Sequence, residues 1–202
     1  MSRPVEVTID LDAVTHNLSI VKNLAPHSKI MAVVKADAYG HGVLRIAQAV
    51  KDVDASGLAR LDEAIVLRKE GYRNKIVLLE GVLDSSELRQ AFDLDLDIVI
   101  HSDYQVELLI RQNRKFRVWF KINTGMNRLG FRAHATRSNL RTIRKYSTEI
   151  ILMTHFSCAQ LSNDTSSLRQ EEAFDEIVMR ASEEKSLANS AAILALPSTH
   201  RE

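Results

Sequence analysis

The chain alternates short apolar segments with amphipathic segments of helical periodicity, and this alternation restricts the possible folds more than any other feature. Seven segments are predicted to be strands: 30–35, 56–60, 75–80, 97–100, 117–122, 150–155 and 186–189. Most of them are continuously apolar, which is typical of parallel strands covered on both faces. The second and the seventh are less apolar and are predicted from their place in the alternation. Helical segments between the strands favour a parallel sheet.

The length of the chain limits the kind of parallel sheet. Successive predicted strands start about 20 to 35 residues apart, which suits one helix per crossover. A closed barrel of eight such units typically needs about 250 residues, whereas this chain has 202 and its last segment, ALPSTHRE, predicts no eighth strand. We therefore predict an α/β fold, an incomplete TIM-type (β/α)8 barrel with about seven parallel strands and helices outside. An open doubly wound sheet remains an alternative on periodicity alone.

Composition and charge exclude several functional classes. The 27 Lys and Arg residues nearly balance the 26 Asp and Glu residues, so there is no basic excess of the kind that nucleic-acid-binding surfaces show. The single cysteine, Cys158, excludes an internal disulfide framework and suits a reducing compartment. No segment resembles a membrane helix or a signal peptide. We expect a cytoplasmic protein that binds a small molecule, and neither nucleic acid nor membrane.

Polar side chains follow the predicted strands at their carboxyl ends. They are Lys35, Arg60, Glu80, His101, Lys121, His155 and the pair Asn189 and Ser190. The active sites of parallel barrels lie at the carboxyl ends of the strands. We therefore expect the functional residues to come from this set.

Lys35 lies in the segment AVVKADAYGHG, residues 32–42. A lysine at a strand end can simply extend its ammonium group into solvent. Alternatively, it can be a Schiff-base lysine, because the pKa of a lysine falls readily on desolvation. Gly40 and Gly42 allow the backbone to approach a ligand closely, and the hydroxyl of Tyr39 can bind a phosphate oxygen. These neighbours favour a lysine that reacts with an aldehyde carrying a phosphate group.

A second segment, KINTGMNRLGF at residues 121–131, joins Lys121 at a strand end to Arg128 in the following loop. The guanidinium group of an arginine can bind a carboxylate or a ring oxygen in a forked arrangement. A surface ion pair is the alternative interpretation of Arg128.

His155 in ILMTHFS can be a hydrogen-bonded core histidine or part of a site. Asn189 and Ser190 can cap the next helix, or can bind an anion at its amino end. Each of these signals is weak alone, and their shared location at the strand ends strengthens them.

Four segments together resemble the alanine racemases, a pyridoxal-phosphate-dependent family of the barrel type. They are AVVKADAYGHG, KINTGMNRLGF, the strand end THF and SLANSAAIL, and they occur in the expected order between VTIDLDAVTHNL and LALPSTH. The resemblance implies an isomerase that interconverts L-alanine and D-alanine and forms a homodimer at full length. It also implies that residues 1–202 are the amino-terminal barrel domain, without its last strand and without the carboxy-terminal β domain.

The resemblance assigns the cofactor contacts residue by residue. Lys35 would carry pyridoxal 5′-phosphate as an aldimine and act as one of two opposed bases. Tyr39 would contact the phosphate, and Asn189 and Ser190 would contribute to cofactor binding.

The remaining implied roles belong to the ring and the substrate. Arg128 would lie near the phenolic oxygen of the cofactor and the substrate carboxylate, and His155 would belong to the hydrogen bonds under the ring. Lys121 stands where some members of the family carry a carbamylated lysine that positions the arginine. The resemblance implies no metal.

The resemblance also implies a second base, a tyrosine from the carboxy-terminal domain. None of the four tyrosines of this chain, at positions 39, 72, 104 and 146, matches it. We therefore expect the chain alone to be inactive. The alternatives are a non-catalytic module that binds pyridoxal phosphate, or a related barrel-type amino-acid decarboxylase, against which the segment TGMNRLG argues.

Overall fold

A computed structural model describes residues 5–161 and 165–201, and these residues form one seven-stranded sheet in which all neighbours are parallel. The strands follow one another in chain order from β1 to β7. A doubly wound sheet reverses its strand order at a switch point, so this order excludes that alternative. The predicted incomplete barrel with seven parallel strands is confirmed.

The strands are short, as expected for a barrel. Their bounds are β1 Met31–Val33, β2 Ala55–Leu58, β3 Lys75–Leu78, β4 Asp97–Ile100, β5 Phe116–Lys121, β6 Ser147–Met153 and β7 Glu184–Ser186.

Helical elements connect the strands. Their bounds are α1 Leu11–Leu24, α2 Lys35–Gly40, α3 Val43–Ala49, α4 Leu61–Lys69, α5 Ser85–Asp93, α6 Asp103–Gln112, α7 Ala133–Ile143, α8 Ser166–Val178, α9 Ser190–Ala195 and a 3-10 helix at Pro197–Thr199. Within the described ranges, no helix is both long enough and apolar enough to cross a membrane.

The observed strand ends differ from the predicted ones in every strand except β4, and β2, β3 and β5 end one or two residues early, at Leu58, Leu78 and Lys121. β1 ends before Lys35, β6 ends before His155, and β7 precedes most of the predicted segment 186–189. Strand ends depend on hydrogen bonds to the neighbouring strand, which an apolar pattern does not report. For example, β7 pairs with β6 only from Glu184 to Ser186. Most of the polar residues predicted at strand ends therefore lie just beyond the strands, whereas Lys121 is the last residue of β5.

The two faces of the sheet bury different clusters. The helices cover the outer face, where Leu67, Leu88, Leu109 and Phe174 have almost no exposed surface. A smaller apolar cluster on the inner face combines side chains from six strands: Met31, Ala55, Val77, Leu79, Val99, Trp119 and Met153. This inner cluster indicates that the sheet curls around its own side chains.

Ion pairs at the amino ends of the strands confirm the curvature. Lys75 of β3 lies 3.8 Å from Glu149 of β6, although two strands separate them in the sheet. Lys29, just before β1, lies 2.5 Å from Glu184 of β7. The two edge strands of the sheet are thus brought close together at this end.

Candidate functional site

The segment after β1 is a left-handed turn rather than a right-handed helix. Within α2, residues 36–39 have φ values between 52° and 55°. A left-handed conformation costs a non-glycine residue about 1–2 kcal/mol. The sequence Ala-Asp-Ala-Tyr therefore keeps this shape only because surrounding groups hold it. Lys35 is the first residue of the turn.

Glu63 of α4 is one of the groups that hold the turn. Its carboxylate accepts hydrogen bonds from the backbone N–H groups of Ala59 at 2.9 Å, Arg60 at 3.1 Å and Asp37 at 3.3 Å. The carboxylate of Asp37 in turn accepts the N–H of Val43, at the start of α3, at 2.7 Å. The turn is therefore tied both to the end of β2 and to the helix that follows it.

The loop that carries Arg128 returns to the end of β5. The N–H of Phe131 donates to the carbonyl of Lys121, and the N–H of Asn123 donates to the carbonyl of Phe131, both at 2.9 Å. Gly130 has a φ of 116°, and a Cβ atom there would lie 2.8 Å from the backbone nitrogen of Asn123. Only glycine fits this close approach, so the loop is fixed at both of its ends.

Four nitrogen-bearing side chains meet at this end of the sheet: Lys35, Lys121, Arg128 and His155. His101 lies beside them, and burial, then Lys121, lower its pKa. Lys121 is only 7% exposed. Burial, then Arg128 and Lys35, lower the pKa of Lys121 to about 8. Burial, then Lys121, Arg128 and Lys35, lower the pKa of His155 to about 4. We refer to these four side chains as the cation cluster.

The cation cluster lacks a balancing negative charge. No carboxylate in the described part of the chain contributes to the pKa of Lys121 or His155. Lys121 also makes no side-chain hydrogen bond or ion pair with residues 5–161 or 165–201. Burying a cation without a partner is unfavourable. The cluster therefore suits an anionic ligand.

The predicted residues outside the cluster lie on two elements, α2 and the amino end of α9. Tyr39 is on the left-handed turn and is 60% exposed. Asn189 caps α9, since its side-chain oxygen accepts the N–H of Ala192 at 3.0 Å, and its amide donates to the carbonyl of Phe156 at 3.2 Å. The exposed Ser190 makes no hydrogen bond to another described side chain. The cofactor contacts of Asn189, Ser190 and Tyr39 remain predictions.

The structure also shows supporting residues that the sequence analysis missed. Glu63 is the third residue of α4 and bonds back to the N-cap backbone of Arg60, which is the position of a capping glutamate, so a sequence signal existed. Gln170 of α8 is buried beneath the loop of Arg128. Among residues 5–161 and 165–201, no group of three His, Cys, Asp or Glu side chains could hold a metal ion.

Comparisons with known proteins agree on one family. A family model described as "Alanine racemase, N-terminal domain" matches residues 9–202. The alanine racemase of Nitrosomonas eutropha is 43% identical over 209 residues, and that of Legionella pneumophila (strain Corby) is 38% identical over 208 residues. Both alignments cover 100% of this chain and 58% of the relative.

Solved structures give the same result. The biosynthetic alanine racemase from Pseudomonas aeruginosa superposes with a TM-score of 0.91 at 36% identity, over 96% of this chain and 56% of that chain. The alanine racemase from Acinetobacter baumannii superposes with a TM-score of 0.91 at 34% identity, with the same coverage. This chain thus spans 58% of the length of the curated relatives named above.

Proposed function

The chain belongs to the alanine racemase N-terminal domain family, and we propose that it supplies the cofactor-binding half of an enzyme that interconverts L-alanine and D-alanine. The observation that carries the proposal is the cation cluster, in which Lys35, Lys121, Arg128 and His155 meet without a balancing carboxylate. As the resemblance implies, the substrate is alanine and the full-length protein acts as a homodimer. Residues 1–202 correspond to the amino-terminal barrel domain.

The side chains present fit pyridoxal 5′-phosphate, which carries a phosphate, a phenolic oxygen and an aldehyde. Lys35 offers the primary amine, Arg128 offers a permanent positive charge, and Tyr39 and Ser190 offer hydroxyl groups. A site with unbalanced positive charge favours a ligand that carries negative charge. When bound, such a cofactor withdraws the electron pair left by removal of the α-proton of an amino acid.

The protein residues then have distinct tasks in the proposed reaction. Arg128 binds the carboxylate of the amino acid and orients it, because its guanidinium can form two parallel hydrogen bonds. The Nζ atom of Lys35 takes or returns the α-proton on one face of the substrate. His155, whose pKa is lowered to about 4, stays neutral near pH 7 and adds no further positive charge. Inversion also needs a base on the opposite face.

Lys121 supports a proposed carbamate. With a pKa of about 8, about one tenth of its amine is neutral at pH 7, and the neutral amine is the form that reacts with carbon dioxide. A carbamate at this position would place a negative charge beside Arg128. We propose that this modification orients Arg128, in line with the family resemblance.

Trapping the cofactor tests the assignment of Lys35. Incubation with pyridoxal 5′-phosphate, reduction with borohydride and peptide mapping should place the label on Lys35, and Lys35→Ala should abolish both the label and the visible absorbance band. Lys22→Ala, at an exposed lysine of α1, is the matched control and should keep both. A label on another residue, or none, would refute the assignment.

Binding without racemisation is a second candidate for the chain alone. The hydroxyl of Tyr72 lies 2.6 Å from that of Ser56 in a structural hydrogen bond, and Tyr104 is an exposed residue of α6. The chain alone should therefore bind pyridoxal 5′-phosphate without forming D-alanine from L-alanine, and without exchanging the α-hydrogen of L-alanine in deuterated solvent. Formation of D-alanine by the chain alone would exclude this candidate.

A further inference from the structure

Gln170 occupies an unusual position for a polar side chain. It lies on the inward stripe of α8, one turn before the fully buried Phe174, and is itself only 4% exposed. A buried amide costs free energy unless its donors and acceptor are satisfied. The hydrogen bonds of Gln170 therefore show what it does in the fold.

The amide of Gln170 binds the segment just beyond β6. Its oxygen accepts hydrogen bonds from the backbone N–H of Ser157 at 3.0 Å and from the hydroxyl of Ser157 at 3.1 Å. Its nitrogen donates to the backbone carbonyl of His155 at 3.0 Å. The peptide groups on both sides of Phe156 are thus fixed to α8, and they include that of His155.

The same amide also reaches the loop beyond β5 through a chain of hydroxyl groups. The amide nitrogen of Gln170 donates to the hydroxyl of Thr124 at 3.4 Å. Thr154 donates its only hydroxyl proton to the carbonyl of Ile122 at 3.0 Å, so Thr124 must be the donor in the 2.8 Å contact between the two threonines. Gly125 packs against the side chain of Gln170, since a Cβ atom there would lie 3.4 Å from its Cγ atom.

We propose that Gln170 is a positioning residue that fixes the loop of Arg128 and the backbone of His155 relative to each other. Its two sets of hydrogen bonds end on the two loops that carry these members of the cation cluster. Because the buried amide is fully used, neither loop can shift without breaking a hydrogen bond to α8. This inference rests on the proposed function, since it concerns the residues proposed to hold the cofactor.

A second buried glutamine provides a matched control. Gln105 of α6 is 3% exposed, accepts the N–H of His101 at 2.9 Å and donates to the carbonyl of Glu80 at 3.0 Å. It therefore joins the ends of β3 and β4 as Gln170 joins the ends of β5 and β6. Replacing either glutamine with methionine keeps its approximate volume and removes its hydrogen bonds.

The titration of His155, followed by NMR of its imidazole in this chain without cofactor, tests the proposal. The pKa of His155 is lowered from 6.5 to about 4 by burial and by Lys121, Arg128 and Lys35. Loosening the two loops should admit water and separate these charges, so Gln170→Met should raise the pKa towards 6.5. Gln105→Met should leave it unchanged.

A milder variant, Thr124→Val, keeps the test decisive if Gln170→Met does not fold. It removes only the hydroxyl link to the loop of Arg128 and should raise the pKa of His155 by a smaller amount. An unchanged pKa in both variants, or an equal rise in Gln105→Met, would overturn the proposal. Since the titration needs no cofactor, these outcomes leave the assignment of Lys35 untouched, whereas failed labelling of Lys35 would leave the role of Gln170 standing.

Discussion

Lys121 should weaken the folded state at neutral pH, and Lys121→Met should relieve this effect. The pKa of Lys121 is lowered from 10.5 to about 8, first by burial and then by Arg128 and Lys35. One unit of pKa corresponds to about 1.4 kcal/mol, so holding this ammonium charged in the folded chain costs about 3 kcal/mol at pH 7. Methionine has a similar length and no charge, and should recover up to about this amount.

The stabilisation expected from Lys121→Met should decrease as the pH rises. A lysine with a lowered pKa binds fewer protons in the folded chain than in the unfolded chain between pH 8 and pH 10.5. The free energy of unfolding of the unsubstituted chain should therefore rise with pH across this interval. The advantage of Lys121→Met should fall correspondingly, from about 3 kcal/mol at pH 7 to less than about 1 kcal/mol at pH 10.

Urea unfolding of both chains at pH 7 and pH 10, in buffers free of carbon dioxide and cyanate, measures the two differences. Lys145→Met, at an exposed lysine after α7, is the control and should change the free energy of unfolding by less than about 0.5 kcal/mol at either pH. If Lys121→Met is not stabilised at pH 7, or its advantage is the same at pH 10, the argument from charge burial fails.

Two further substitutions test the supports of the fold and the turn. Glu63→Ala should lower the free energy of unfolding by about 2–4 kcal/mol, because three backbone N–H groups lose their acceptor. The same substitution should slow the borohydride-trapped labelling of Lys35. Urea unfolding should show a smaller loss for Glu63→Gln and almost none for the exposed Glu70→Ala. Asp97→Ala should cost about 3–5 kcal/mol in the same assay, since Asp97 is buried and accepts from Arg117 at 2.6 Å, and a loss below about 1 kcal/mol would contradict this explanation.

The arrangement of strands could be predicted from the sequence because it depends on regular patterns. Continuous apolar segments separated by helical segments predict parallel strands, and the strand starts have the spacing of single crossovers. The choice between a curled and a doubly wound sheet could not be made from these patterns, because both have the same local periodicity. The strand order of the folded sheet decides it, and contacts between distant strands, such as that between Lys75 and Glu149, show the curvature.

The structure brings four of the predicted site residues together, and their geometry could not be predicted from the sequence. Lys35 was expected to end a strand, yet it begins a left-handed turn, whose Asp37 is hydrogen-bonded to Glu63 and Val43 in two separate helices. The lowered pKa of Lys121 follows from the approach of Arg128 and Lys35, which lie in separate segments. Gln170 was missed because a single polar residue on a helix is expected to face solvent, and its hydrogen-bond partners lie in loops distant in the sequence.

The shortness of the two edge strands has a consequence for how this sheet meets other chains. β1 and β7 are three residues long each, and β7 has the sequence Glu-Lys-Ser. Short and charged edges are poor templates for aggregation. A strand from another chain would therefore pair only weakly with β1 or β7 through backbone hydrogen bonds alone. A segment that binds stably between these two strands must also contribute side chains that pack against the inner face of the sheet.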